Sequence, residues 1–326
     1  MGSLSPTPDQ PSSPPSASPS PLFTQLQTNG FVIVRSILTP AELSALRASA
    51  SRITALARAG QWPHIRTVGK QFPPWPSAPD PGPESGGIWG VQHLLHPRLP
   101  VPQADRDVFA RLYFSPKILA IVRELLLCSP SPSDDNHNEG EEEDEDDGLV
   151  MELCNMLVRP DADFALRWHR DDIPWTATPE EEEAALHVSS SLKLKLTHTQ
   201  WNLALHPDDS LVLIPGSHRR ARTPAERAAA PYETGLPGET RVALQPGDIA
   251  FYDNNILHRG VYDCTRERLT PHGSVGHVRA GEGGRARNVL QHGVGAWVGE
   301  CDFGGLDGLE GEKGEGEGEV GYSLDG

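Results

Sequence analysis

Near residue 150 the periodicity of the chain changes. Upstream, apolar residues recur at helical spacing; downstream, short apolar runs of strand length follow one another, separated by Pro, Gly, Asn and Asp. Phe31-Val32-Ile33-Val34 reads as a short opening strand. Thr39-Pro40-Ala41-Glu42 is then a capping box with Pro at the first helical position, and Leu43, Leu46, Ala50, Ile53 and Ala57 share one helical face until Gly60. Two further helices are expected over 105–114 and 116–127, joined at Ser115-Pro116. Strands are expected over 150–158, 192–205, 211–214, 241–244, 249–252 and 257–262. Helices first and antiparallel strands afterwards predict an α+β fold.

The formal net charge is −17, a balance that argues against nucleic acid or an anionic membrane as a partner. The charge is not spread evenly. Residues 134–147 hold ten acidic side chains and no basic one, and 304–326 hold seven against Lys313, so the remainder is close to neutral. Such Asp/Glu and Gly/Glu runs cannot bury enough apolar surface to offset the entropy of ordering, and both are expected to be disordered, as is the Ser/Pro-rich start. The expected organisation is a tail over 1–20, a single domain over 21–303 with an acidic insertion at 129–148, and a second tail over 304–326.

The first basic residue is Arg35, too late for the charged start of a secretory signal or the arginines of a transit peptide. Pro6 stands where myristoylation requires Ser or Thr, Leu324-Asp325-Gly326 is no peroxisomal address, and no apolar run reaches bilayer length. These features predict a cytoplasmic protein that contacts no membrane, with a monomer as the default state. Cys128, Cys154, Cys264 and Cys301 are widely spaced without a CxxC pair, which suits reduced thiols rather than disulfides or a zinc knuckle.

The chemistry centres on Trp168-His169-Arg170-Asp171-Asp172. In an extended strand alternate side chains share a face, so His169 and Asp171 project together while Arg170 and Asp172 point away. A second imidazole from another strand would complete the two-histidine, one-carboxylate set that leaves three positions open on a non-haem Fe(II). His258, in Asp253-Asn254-Asn255-Ile256-Leu257-His258, is the candidate. His206-Pro207-Asp208 has the same spacing, but its Pro and paired Asp read as a turn that would not hold both side chains on one face. His187, His198, His218, His272, His277 and His292 have no spacing partner and read as ordinary polar residues. Ten residues after His258 comes Arg268-Leu269-Thr270, an Arg and a hydroxyl on one strand face that can grip a carboxylate. Arg266 shares that face and competes with Arg268, although only Arg268 is followed at two residues by a hydroxyl.

Taken in order, His169, Asp171, His258 and Arg268, with the intervening turns Ile214-Pro215-Gly216-Ser217-His218 and Gln245-Pro246-Gly247-Asp248, resemble the phytanoyl-CoA dioxygenase (PhyH-like) family, and in particular its fungal-type members. The resemblance spans roughly residues 22–303. It implies a double-stranded β-helix, or cupin-like jelly roll, with the N-terminal helices packed outside and the metal at its open mouth. It also implies an Fe(II)- and 2-oxoglutarate-dependent dioxygenase: His169, Asp171 and His258 would hold the iron, and Arg268 and Thr270 the far carboxylate of 2-oxoglutarate. With molecular oxygen, such an enzyme hydroxylates a small molecule and releases succinate and CO2. Trp201 and Asn202 lie in a strand that in relatives passes beside 2-oxoglutarate, although a Trp in a strand is commonly core. Many relatives have Gln where this chain has Arg170.

Two other readings share the metal ligands. A cupin-like metal-binding protein would have no need of Arg268-Leu269-Thr270, and a catalytically silent relative would have lost a ligand, which this chain has not. The Pro/Gly-rich stretch 61–102 carries Trp62, Trp75 and Trp89 and reads as a lid; with Trp168 and Trp175 opposite, it predicts a largely apolar substrate.

Overall fold

The computed structural model describes residues 20–72, 86–126, 148–191, 198–278, 284–303 and 306. The acidic insertion, both tails up to Pro19 and from Asp307, and Trp75 lie outside the described residues. In chain order the helices are α1 (Pro21–Asn29), α2 (Pro40–Arg58), α3 (Gln103–Tyr113), α4 (Pro116–Leu126), α5 (Pro179–Ser191), α6 (Pro224–Ala228) and α7 (Gly284–Gln291). The strands are β1 (Phe31–Val34), β2 (Ile65–Thr67), β3 (Ile88–Val91), β4 (Leu149–Val158), β5 (Phe164–Ala165), β6 (His198–Leu203), β7 (Leu211–Leu213), β8 (Thr240–Arg241), β9 (Ile249–Tyr252), β10 (His258–Tyr262) and β11 (Leu269–His277).

All strand pairings are antiparallel and form two sheets, a seven-stranded one in the order β1-β9-β6-β11-β4-β3-β2 and a four-stranded one in the order β5-β10-β7-β8. This is the double-stranded β-helix. One face of the large sheet is covered by α1 to α4, whose Leu26, Ile53, Phe109 and Ile121 share a buried core with Trp201 and Phe251 from the sheet. Each such side chain stabilises the fold by about 1.5–3 kcal/mol through removal from water. The other face of the large sheet carries polar side chains and turns toward the small sheet.

Helix ends follow the sequence closely. Thr39 and Glu42 make both hydrogen bonds of the capping box that starts α2. Ser20 caps α1. The strand expected over 192–205 is shorter: α5, opened by reciprocal bonds between Thr178 and Glu181, runs to Ser191, residues 192–197 are not described, and β6 begins at His198. The strand expected over 241–244 reduces to Thr240–Arg241. β11 extends well past the motif that announced it, and Pro271 is tolerated in it because it pairs with Met156 of β4 alone, the β6 ladder starting one residue later. Gly273 is required there: a Cβ would lie 2.1 Å from the indole of the cross-strand Trp201. Cys154, Cys264 and Cys301 are free thiols. Among the described residues no helix is long and apolar enough to cross a membrane.

Candidate active site

His169 and His258 face each other across the mouth of the small sheet. They form an isolated antiparallel bridge in which each backbone N–H donates to the other residue's carbonyl at 3.1 Å. Asp171 N–H donates to Asn254 O at 3.0 Å, so the segment carrying the claw is zipped to the loop that leads into β10. His169, Asp171 and His258 offer one ligand atom each, all within 4.8 Å of one another. His169 Nε2 is 3.5 Å and His258 Nε2 is 4.0 Å from the Asp171 carboxylate.

Backbone carbonyls choose the tautomers. His169 Nδ1 lies 2.9 Å from Arg167 O, and His258 Nδ1 lies 2.9 Å from Ile256 O. Each Nδ1 therefore carries the proton and each Nε2 presents a lone pair to the cavity, the arrangement that fixes a metal-binding imidazole. Burial, together with repulsion from His258, holds the His169 imidazole down at about 4. Burial works against ionisation of Asp171, but the two imidazoles and the Gln200 amide outweigh it and hold the carboxyl below its usual range. Two neutral nitrogens and one carboxylate are the state a divalent iron binds.

Other side chains support this triad. Gln200 Nε2 donates to Asp171. Gln71 pairs with both backbone groups of Arg167, accepting from its N–H at 2.9 Å and donating to its carbonyl at 3.2 Å. Arg170 points away from the cavity, as alternation requires, and its guanidinium donates to the carbonyls of Ser217, at 2.9 Å, Arg220, at 3.0 Å, and Asn255. It ties the claw to the loops beside it, and it is absent from the cavity wall. Asp172, expected to point away, lines the cavity and accepts from Asn254 Nδ2.

Arg268 reaches the same cavity from the start of β11, and Thr270 stands behind it. Arg268 Nε donates to Asp208 at 2.9 Å and Thr270 Oγ1 donates to the same carboxylate oxygen at 2.6 Å, while Tyr262 lies against the guanidinium at 4.6 Å. Arg268 Nη1 is buried without a hydrogen-bond partner. An orphaned guanidinium nitrogen is costly unless something accepts from it, and the distal carboxylate of 2-oxoglutarate is an acceptor of the right charge. Arg266 is exposed and paired with Asp209. The turn reading of His206-Pro207-Asp208 holds, with the segment joining β6 to β7, but the buried Asp208 escaped sequence reasoning as the partner of Arg268.

Strand alternation separates the other candidates. On β6, His198, Gln200 and Asn202 line the cavity, whereas the Trp201 side chain is fully buried in the helix-covered core. Asn202 Oδ1 accepts from His272 Nδ1 at 2.9 Å, and His272 lines the cavity too. Trp168 and Trp175 do not form a wall of the cavity: they pack with Val212, Ile214, Leu236 and Leu257, and the Trp168 indole donates to Glu233 O at 2.8 Å. The reason is the one that aims His169 inward, since its neighbour in the chain must face out. Of the expected lid, Trp62 sits in the core and donates to Gln92 O at 2.9 Å, while Trp89 does line the cavity.

A double-stranded β-helix with two imidazoles and a carboxylate at its mouth, and a buried Arg in the same cavity, defines the class of Fe(II)- and 2-oxoglutarate-dependent oxygenases. The chain belongs to the phytanoyl-CoA dioxygenase (PhyH) family, whose model matches residues 26–262. No curated protein matches it. Among solved structures it is similar to AviO1 from Streptomyces viridochromogenes Tue57, at 15% identity and a TM-score of 0.51, with 82% of this chain and 99% of that one covered. It is also similar to EctD from S. alaskensis in complex with 2-oxoglutarate and 5-hydroxyectoine, at 17% identity and a TM-score of 0.51, with 79% of this chain and 75% of that one covered.

Proposed function

We propose that this protein hydroxylates a small organic molecule, with molecular oxygen and 2-oxoglutarate as co-substrates and succinate and CO2 as products. The observation that carries the reading is the convergence in one cavity of the His169, Asp171 and His258 ligand atoms with the partnerless Arg268 Nη1. His169, Asp171 and His258 would hold the iron, which supplies the redox chemistry that couples oxidation of 2-oxoglutarate to oxidation of the substrate. Arg268 takes the distal carboxylate, with Asp208 and Thr270 fixing its approach. Asn202 and His272 line the path between that anchor and the metal ligands. Gln200 keeps Asp171 turned toward the imidazoles, and Trp89 and Leu157 exclude water from the flank of the cavity. A cupin-like metal-binding protein would share the three ligands but would leave Arg268 without a purpose.

The test is incubation of the purified protein with iron, 2-oxoglutarate, cell extract and isotopically labelled oxygen, followed by mass spectrometry. The reading expects succinate and a product that has gained one labelled oxygen atom. Iron binding without affinity for 2-oxoglutarate would support the metal-binding alternative instead.

A further inference from the structure

The cavity continues past the metal ligands on the side away from Arg268. Along β11 the cavity-facing residues are His272 and Ser274, and their β6 neighbours follow in step: His272 opposite Asn202, Ser274 opposite Gln200, Gly276 opposite His198. Gln200 touches Asp171. Ser274 therefore stands level with the metal ligands, whereas Arg268 lies toward the opposite end of the strand. Co-substrate and substrate thus have separate ends.

The wall at the Ser274 end is polar, and α7 completes it. Ser274 and His198 come from the sheet; Asn288, Gln291 and His292 come from the α7 segment, beyond the residues that the family model matches. Behind them is Glu152, fully buried. The β4–β11 register slips between Ser274 and Val275, which pair with Leu153 and Met151, so Glu152 is the extra residue of a β-bulge and is re-aimed onto the Ser274 face. Its Oε2 accepts from Ser274 Oγ at 2.7 Å and from Asn288 Nδ2 at 3.1 Å.

That carboxylate sets the polarity of the wall. Ser274 Oγ and Asn288 Nδ2 each spend one donor on it. What they retain for a ligand are the lone pairs of Ser274 Oγ, the Oδ1 of Asn288 and the second N–H of its amide. The apolar substrate expected from the sequence rested largely on Trp168 and Trp175, which lie outside the cavity. We infer that the substrate is a polar small molecule whose hydroxyl or amine groups hydrogen-bond with this wall, with Glu152 as the residue that positions it. This rests on the oxygenase reading above and specifies its substrate class.

The test is anaerobic titration calorimetry on the full chain with Fe(II) and 2-oxoglutarate bound, using as probes glucose and myo-inositol (hydroxyl), glucosamine (amine), gluconate (acid), and decanoic acid and limonene (apolar). Binding by hydroxyl or amine probes is expected, and the two sets tell the donor types apart. Ser274→Ala and Asn288→Leu should each weaken that binding about tenfold, the scale of one buried hydrogen bond. Their affinity for 2-oxoglutarate and their melting temperatures serve as controls for folding. Binding by the acid or apolar probes alone, by none of the panel, or with equal strength to both variants overturns the inference. Failure of the wild-type chain to bind 2-oxoglutarate would instead overturn the oxygenase reading itself.

Discussion

Asp208 holds Arg268 from behind. The carboxylate accepts from Arg268 Nε at 2.9 Å, and both side chains are about 5% exposed, so the guanidinium is fixed in rotation with Nη1 buried and unpartnered. Asp208→Asn keeps the shape and loses the charge. The variant should bind 2-oxoglutarate about tenfold more weakly by calorimetry, with iron stoichiometry unchanged. Asp208→Ala strands a buried cation and should cost about 3–5 kcal/mol of stability, visible in denaturant unfolding.

The same pair sets an acid limit. Burial opposes ionisation of Asp208, but Arg268, Thr270 and Ser210 outweigh it and leave its pKa depressed in the folded protein. A depressed carboxylate contributes stability that is fully present above its unfolded value of about 3.9 and lost as pH falls through the folded value. Urea midpoints for the wild type and Asp208→Asn should therefore differ at neutral pH and converge as the pH falls below about 4. A difference that persists undiminished in acid would assign the effect to shape alone.

Arg268→Leu should lower affinity for 2-oxoglutarate by one to several orders of magnitude, since it removes a charge-assisted contact worth roughly 1.5–3 kcal/mol per hydrogen bond. Arg266→Leu removes only an exposed pair with Asp209 and should change that affinity by less than about twofold. Opposite behaviour of the two variants would make Arg266 the anchor.

Trp201 separates core from site. Because its indole packs with Tyr113 and over Gly273 in the helix-covered core, Trp201→Ala should destabilise by about 3–5 kcal/mol while the folded fraction binds 2-oxoglutarate normally. Gln200→Ala should do the reverse, leaving the melting temperature close to wild type and weakening iron binding about 10–100-fold through loss of its bond to Asp171.

The metal ligands were legible in the sequence because strand alternation is local. His169 and Asp171 share a face at any register, and the capping box at Thr39 and the apolar face of α2 are equally local. What stayed hidden depends on register and tertiary packing. Asp208 looked like half of a spurious metal motif, and only the return of β11 beside that turn makes it the partner of Arg268. Glu152 is re-aimed by a bulge that leaves no mark in the sequence. Gln200 could have been read as a cavity residue by alternation from Asn202 once Trp201 was placed in the core. The same alternation applied to Trp168 would have turned it away from the site.

Iron stoichiometry bears most directly on the central assignment. Protein purified anaerobically and loaded with Fe(II) should retain one iron per chain by elemental analysis, and His169→Ala, Asp171→Ala and His258→Ala should each lose it while keeping the wild-type circular dichroism spectrum. His206→Ala should retain the full complement. Retention of iron by the three ligand variants, or its loss from His206→Ala, would contradict the account.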